Sequence, residues 1–379
     1  LQSGVVKKED LLYKYTNDIH ANEIVLLAYY IAAINIEETF HELSGKKEYT
    51  PFDGIVLTDT FQLYDNKYEN NEYISEMLEE NNERANRQRE LPITVCIGNP
   101  PYSIGQKSAD DMAQNLNYSK LDEKIMCTYA RYSKASLRRG LYDNYIRAFR
   151  WATDRIDDHG IIAFITNGSF IDNQGMDGFR KCLVDEFTSI YVFNLRGNQR
   201  TSGEMSRKEG GKIFGSGSRT PVAITCLIKN KNRMQDNFIH YYDIGDYLSR
   251  EQKLTIIKKY GNINNMKWKK ITPDENNDWI NIRNRNFQKL ISLTPEFKGD
   301  MHTKSVFTNY FIGTVSSRDT WVYNYSNNKV KCNMNEMINY YNNEVDRIKT
   351  EGGDVKVNTE KISWSRGLRQ RAKRYFSPL

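Results

Sequence analysis

The chain has 379 residues, with 54 Lys+Arg against 48 Asp+Glu and a net charge of +6. That length accommodates two domains of ordinary size, and the mild basicity permits a nucleic-acid partner without demanding one. No apolar run approaches the ~20 residues needed to span a bilayer and no signal peptide is visible, which argues against membrane-spanning and secreted classes.

The first half alternates strand-like and helix-like segments, the signature of a parallel α/β sheet. Leu11 to Ile19 reads as a strand. Asn22 to Leu43 carries Ile24, Leu27, Ala28, Ile31, Ile34 and Phe40 at helical spacing. Gly54 to Thr58 is a short buried strand, and Tyr68 to Gln88 a charged, peripheral helix. Ile93 to Gly98 is a β-branched run that reads as another buried strand. Tyr142 to Ile156 is an amphipathic helix, with Tyr145, Phe149, Ala152 and Ile156 on one face. Gly160 to Thr166 and Ser189 to Asn194 are strands flanking a helix from Gly175 to Glu186, and Val222 to Ile228 is a further buried strand. Between the last two strands, Gly197 to Pro221 is a loop rich in Gly, Ser and Arg, of a length that is usually functional or disordered. After Lys229 the alternation fades into Asn- and Tyr-rich sequence with isolated helices such as Asn333 to Lys349. A boundary near 230 divides the chain into 1–231 and 232–379. The end is basic, with Arg366, Arg369, Arg371, Lys373 and Arg374.

Cys96, Cys127, Cys182, Cys226 and Cys332 are far apart and form no CxxC pair, which argues against disulfides and zinc and fits a reducing, cytoplasmic setting. The 25 tyrosines, 16 phenylalanines and 5 tryptophans exceed what a core needs and leave aromatics for stacking on bases. An AT-rich genome would yield the same composition.

The most informative stretch is Asn99-Pro100-Pro101-Tyr102, directly after the run Ile93 to Gly98. Gly and then Pro stop a strand abruptly, so a polar Asn is presented at the strand's carboxyl end, where open α/β sheets bind ligands. Two prolines stiffen the turn and fix the direction of its carbonyls. An amide oxygen, a fixed Pro carbonyl and an aromatic face suit a planar group bearing an exocyclic NH2. Two acceptors on the amino group localise its lone pair and make the nitrogen a better nucleophile. This tetrapeptide is the motif of amino methyltransferases that use S-adenosylmethionine (SAM). A plain Pro-rich turn is the alternative, and the strand context favours the functional reading.

The order of segments resembles the γ-class DNA adenine-N6 methyltransferases, most nearly the methyltransferase part of the type ISP (single-polypeptide) restriction-modification enzymes. The segments that carry the resemblance are IHANEIVLLAYYIAAINIEETF, FDGIVLTDTF, ITVCIGNPPYS, LYDNYIRAFRWA, GIIAFITNGSF and GKIFGSGSRTPVAITCLIK, over residues 10 to 230. The resemblance implies a Rossmann-like, mostly parallel sheet followed by a mixed α+β target-recognition domain. It implies double-stranded DNA as partner, with nuclease and helicase-like domains in the same polypeptide. Asn99, Pro100, Pro101 and Tyr102 would be catalytic, with Tyr102 stacking on a flipped adenine. Glu23 would accept hydrogen bonds from the SAM ribose, although an acidic residue also suits a helix N-terminus. Asp59 would meet the adenine amino group of SAM, or else cap the next helix. Phe61 could pack on the same ring or simply fill the core. Phe214 stands where the family sandwiches the flipped base, and packing is the alternative. Arg200 and Arg219 in the Gly-rich loop, and Arg369 and Arg371 in the basic tail, are candidate DNA contacts.

One departure stands out. The family's first strand and the Gly-rich loop that wraps the methionine half of SAM have no counterpart, since the chain opens at Leu1-Gln2-Ser3-Gly4. A truncated piece of a longer protein is expected, with an incomplete SAM site. The rivals are an RNA or protein-glutamine amino methyltransferase and a non-catalytic DNA-binding fragment.

Overall fold

The computed structural model describes the chain apart from residues 1–5, 46–47, 66–78, 103–117, 215–218, 237, 281–282, 285, 296–303, 309–312, 314–315, 317, 352–356, 359–360, 363, 365–367, 369–370 and 373–379. It divides into two compact units, Leu1–Asn284 and Arg285–Leu379.

The first unit opens not with the strand expected at Leu11–Ile19 but with helical turns, Lys8–Asp10, Leu11–Tyr13 and Lys14–Asp18. The reason is tertiary: Tyr15 turns inward, stacks on Phe40 at 3.8 Å and donates its hydroxyl to Thr50 O. The expected Asn22–Leu43 helix is a three-residue strand β1 (Ala21–Glu23) followed by α1 (Leu26–Ser44). Then come β2 (Ile55–Leu57), α2 (Thr60–Asp65), α3 (Glu79–Glu90), β3 (Val95–Gly98), α4 (Ser119–Ile125) and α5 (Asn144–Arg155). The helix expected from Tyr68 is described only from Glu79, its earlier part lying outside the described residues. β4 (His159–Asn167), α6 (Asp177–Glu186), β5 (Ser189–Arg196), a short α7 (Gly203–Glu209) and β6 (Val222–Asn230) follow. β7 (Ile239–Asp243), α8 (Arg250–Tyr260) and β8 (Lys269–Ile271) complete the unit.

The architecture is α/β and Rossmann-like. β1 and β2 pair in parallel, and a separate six-stranded sheet runs β3-β4-β6-β5-β7-β8. β3/β4 and β5/β7 are parallel. β6 inserts antiparallel between β4 and β5, and β8 closes the far edge antiparallel. The sheet is therefore mixed, with its antiparallel pairs arising from β6 and β8. β3 is an edge strand among the described residues, and Ile97 is 83% exposed. This corrects the expectation of a buried strand there: Cys96 alone of Val95, Cys96 and Ile97 is buried, because no strand pairs with β3 on the side away from β4.

Alternation along the central strands feeds two clusters. Ile162, Phe164, Ile190, Val192 and Leu227 join Tyr145, Phe149 and Ala152 of α5 and Phe179 and Leu183 of α6 in the main core. Phe193, Leu195 and Val222 form a second cluster, against which Ile256 and Ile257 of α8 pack. Asp143 caps α5 through Tyr145 N, and Arg150 bridges α5 to Glu186 of α6 at 2.9 Å. Burying a side chain such as Phe149 contributes about 1.5–3 kcal/mol.

The unit runs past the 230–231 composition shift, for a physical reason. β7 extends the same sheet, Trp279 is buried in the main core, and Asp278 forms a fully buried ion pair with Arg180 of α6 at 2.5 Å. In the second unit, α9 (Asp319–Val322) precedes α10 (Asn327–Glu351), which buries Met337, Tyr341, Val345 and Ile348 with Trp364 and Ala372. Ser292 and Ser305 form an isolated parallel bridge. Among the described residues, no helix is long and apolar enough to cross a membrane.

Candidate active site at the carboxyl ends of the strands

Asn99-Pro100-Pro101-Tyr102 leaves the carboxyl end of β3. Asn99 is exposed and Tyr102 half-buried against the main core. The Tyr102 hydroxyl donates to Asn99 Oδ1 at 2.8 Å and lies 3.3 Å from Ile165 O on β4. The parallel register, Gly98 opposite Phe164, brings that carbonyl within reach. Burial pushes the Tyr102 hydroxyl up to about 12, so it remains a donor at neutral pH. Its ring meets the buried Tyr145 ring edge-on, with centroids 6.3 Å apart. The amide oxygen of Asn99 is thus held from behind, with a second lone pair left for an incoming N–H.

Glu23 ends β1. Its Oε1 accepts the Ile24 and Val25 amides at 2.8 and 3.0 Å, which orients the carboxylate at the start of α1. Both the cap reading and a binding role are compatible with this geometry, because two amides engage one oxygen and the other carries no hydrogen bond of its own among those described.

Asp59 is buried after β2. Oδ1 caps α2 through Phe61 N at 2.9 Å, and Oδ2 accepts the Tyr118 hydroxyl at 2.8 Å. Phe61 is buried and meets Tyr118 edge-on at 5.2 Å. Tyr118 in turn lies under the Arg147 guanidinium, which is bidentate to Asp122 at 2.8 Å on each arm. The capping and packing roles of Asp59 and Phe61 are therefore realised in this structure. Sequence reasoning missed Tyr118 and Arg147, which lie 59 and 88 positions beyond Asp59 and carry no local motif.

The segment expected as a loop from Gly197 to Pro221 contains the helix α7, and its residues 215–218 lie outside the described residues. Arg200 and Arg219 are exposed, and Arg219 donates to Gln199 O at 3.3 Å. Phe214 is half-buried against the cluster of Phe193, Leu195, Ile213, Val222 and Ile244, so its packing role is realised. Ile165 packs against the same cluster and is the residue whose carbonyl faces Tyr102, which ties that cluster to the motif. In the second unit Arg371 is exposed, and Arg369 lies outside the described residues.

Residues 305–377 match the family described as the type ISP C-terminal specificity domain. No curated protein matches the chain. Among solved structures, the chain is similar to a nuclease-deletion mutant of the type ISP restriction-modification enzyme LlaGI in complex with a DNA substrate mimic. Identity is 47% and the TM-score 0.83, over 98% of this chain and 30% of that one. It is also similar to the ATP-dependent type ISP enzyme LlaBIII bound to DNA, at 43% identity and TM-score 0.81, over 98% of this chain and 24% of that one. A DrdV–DNA complex matches at 32% identity and TM-score 0.79, over 99% of this chain and 36% of that one. The chain thus spans about a third or less of the length of these relatives. With a specificity-domain match in its second unit and this likeness along almost all of its length, the chain belongs to the type ISP restriction-modification family.

Proposed function

We propose that this chain is the methyl-transferring and DNA-reading part of a SAM-dependent DNA adenine-N6 methyltransferase, working within a larger restriction-modification polypeptide with nuclease and helicase-like domains. The observation that carries the reading is the exposed Asn99 at the carboxyl end of β3, its amide oxygen fixed by the Tyr102 hydroxyl. In this reading catalysis falls to residues 1–231 and target recognition to 232–379. The target adenine leaves the duplex, as bases must when enzymes act on them. Its N6 hydrogens bond Asn99 Oδ1 and the Pro100 carbonyl, which localises the nitrogen lone pair. Pro101 keeps that carbonyl in place, and Tyr102 offers its ring as a stacking surface. Phe214 would close the other side of the base. The N6 proton leaves to solvent, since Asn99 is a neutral amide and no base.

The residues present fit part of SAM. Glu23 has acceptor capacity for the ribose hydroxyls, because both amide bonds fall on one carboxylate oxygen. Asp59 and Phe61 would border the adenine end, with Asp59 offering only the lone pairs that Phe61 N and Tyr118 leave. When bound there, SAM supplies an electrophilic methyl group. Arg200, Arg219, Arg369 and Arg371 would meet phosphates.

The test is Asn99→Ala in the complete polypeptide that contains this chain. Transfer of tritium from SAM to DNA should be abolished. DNA binding by gel shift should stay within a few fold, because phosphate contacts supply most affinity and Asn99 acts in the transition state. Normal turnover in the variant would sink the catalytic assignment.

A further inference from the structure

Lys253 is fully buried at the start of α8, which is unusual for a lysine with no carboxylate ion pair among the described residues. Its ammonium donates to two backbone carbonyls, Glu209 O at 2.8 Å and Gly211 O at 2.9 Å. Both lie in the Gly197–Pro221 segment, and the charged groups around the lysine are Glu209, Arg196 and Asp243. A capping box, Ser249 with Gln252, fixes the first turn of α8 and so aims Lys253 at those carbonyls.

Other contacts converge on the same segment. Arg196 enters it in the left-handed region, φ 55°, and is tied to Asp243 at 2.7 Å and Asp246 at 2.5 Å. Gly197 N donates to Glu209 O, so the start of the segment closes on the end of α7. Gly211 N donates to Leu248 O, Tyr247 N to Lys208 O, and Arg250 Nε to Ile213 O. Gly210 has φ 68°, and a Cβ there would sit 2.2 Å from Leu248 O. This close approach requires glycine. The stretch from Gly197 to Ile213 is therefore clamped onto the β7–α8 corner.

The segment is cationic in composition. Residues 197–221 hold Arg200, Arg207, Lys208, Lys212 and Arg219 against Glu204 and Glu209, five positive charges against two negative. Arg200, Arg207, Lys208 and Arg219 are exposed. Lys253 adds no exposed charge, since it is buried and its ammonium is bonded to the two carbonyls.

We propose that Lys253 is a positioning residue: it staples α7 to α8 and thereby holds the stretch from Gly197 to Ile213 as a fixed cationic surface that grips the phosphate backbone of DNA. The proposal rests on the DNA reading above and adds the element that sets the grip. A fixed surface loses less conformational freedom on binding than a free loop, so its contacts yield more net affinity.

The experiment compares the complete polypeptide with Lys253→Met, which keeps the apolar stem and removes the N–H donors. Amide exchange at Gly197 and Gly211 should speed up at least tenfold, with α5 amides unchanged. The KM for DNA should rise about tenfold while kcat at saturating DNA stays within twofold. Unchanged exchange at Gly197 and Gly211 overturns the staple. Faster exchange with unchanged KM and unchanged salt dependence overturns the grip and leaves methyl transfer through Asn99 standing. If Lys253→Met does not fold, the surface pair Arg200→Gln with Arg207→Gln decides the grip with the staple intact. Two lost phosphate contacts should flatten the slope of log affinity against log salt by about 1.8. No change in slope refutes the proposal.

Discussion

Tyr102→Phe separates two things one side chain does in this structure. The sequence suggests a stacking ring, for which Phe would serve as well as Tyr. The structure adds a hydroxyl that holds the Asn99 amide oxygen at 2.8 Å. A neutral hydrogen bond of that kind contributes about 0.5–1.5 kcal/mol net. If it acts mainly by keeping Asn99 aimed at N6, Phe should slow single-turnover methyl transfer by about 2–12-fold. Tyr102→Ala also loses the stacking face, worth about 1–3 kcal/mol per base, and should cost from about tenfold to a thousandfold. Because burial raises the Tyr102 hydroxyl to about 12, it stays protonated across ordinary assay conditions. The ratio of wild-type to Phe rates should therefore be flat from about pH 6 to pH 9. The assay is rapid-quench transfer of label from SAM to a DNA duplex, with both saturating. A Phe variant equal to wild type would show that the hydroxyl bond is idle. One as slow as Ala would show that the hydroxyl carries the whole role and that Tyr102 does not stack.

Arg180→Ala leaves Asp278 buried and strips donors from Phe170 O, Asn173 O and Asn277 O; it should destabilise the first unit by about 3–5 kcal/mol in denaturant unfolding. A loss under 1 kcal/mol would mean that the 274–278 turn is not anchored through this pair. Burial lowers Lys253 from 10.5 to about 8, so between those values the folded form loses its proton while the unfolded chain keeps it. The unfolded chain then binds more protons between those values, and stability attributable to Lys253 should grow as pH rises from about 8 towards 10.5, by up to about 3 kcal/mol. Wild type measured against Lys253→Met across that range checks the sign, and a gap that narrows with rising pH contradicts it. Neutralising Arg369 and Arg371 together should flatten the salt dependence of DNA affinity by up to about 1.8 in slope; an unchanged slope moves the phosphate contacts away from the basic end.

Much of the first unit was legible because long periodic segments leave little choice. Tyr145, Phe149 and Ala152 recur at helical spacing and do form the buried face of α5. Strands β4, β5 and β6 lie where runs of branched and aromatic residues alternate. Leu11 to Ile19 misled because its local pattern suits a strand, while Tyr15 is captured by Phe40 and Phe52. β1 has three residues, too few for any periodicity to announce. The sheet's extension beyond 230 was hidden because β7 and β8 are short and the buried charges Arg180 and Asp278 that fasten the chain there are 98 positions apart. The same holds at the site. Asn99 and Tyr102 were readable as a contiguous motif, and the bond between them was not. Tyr118, Arg147 and Lys253 act through contacts far apart in sequence, so nothing local marks them.

The central claim concerns which atom receives the methyl group. The complete polypeptide is incubated with duplex DNA and SAM carrying a deuterated methyl group, and the DNA is then digested to nucleosides for mass spectrometry. The account predicts deuterated methyl on deoxyadenosine N6 alone, absent with Asn99→Ala. Label on cytosine, or label only in RNA or in protein glutamine, would contradict it.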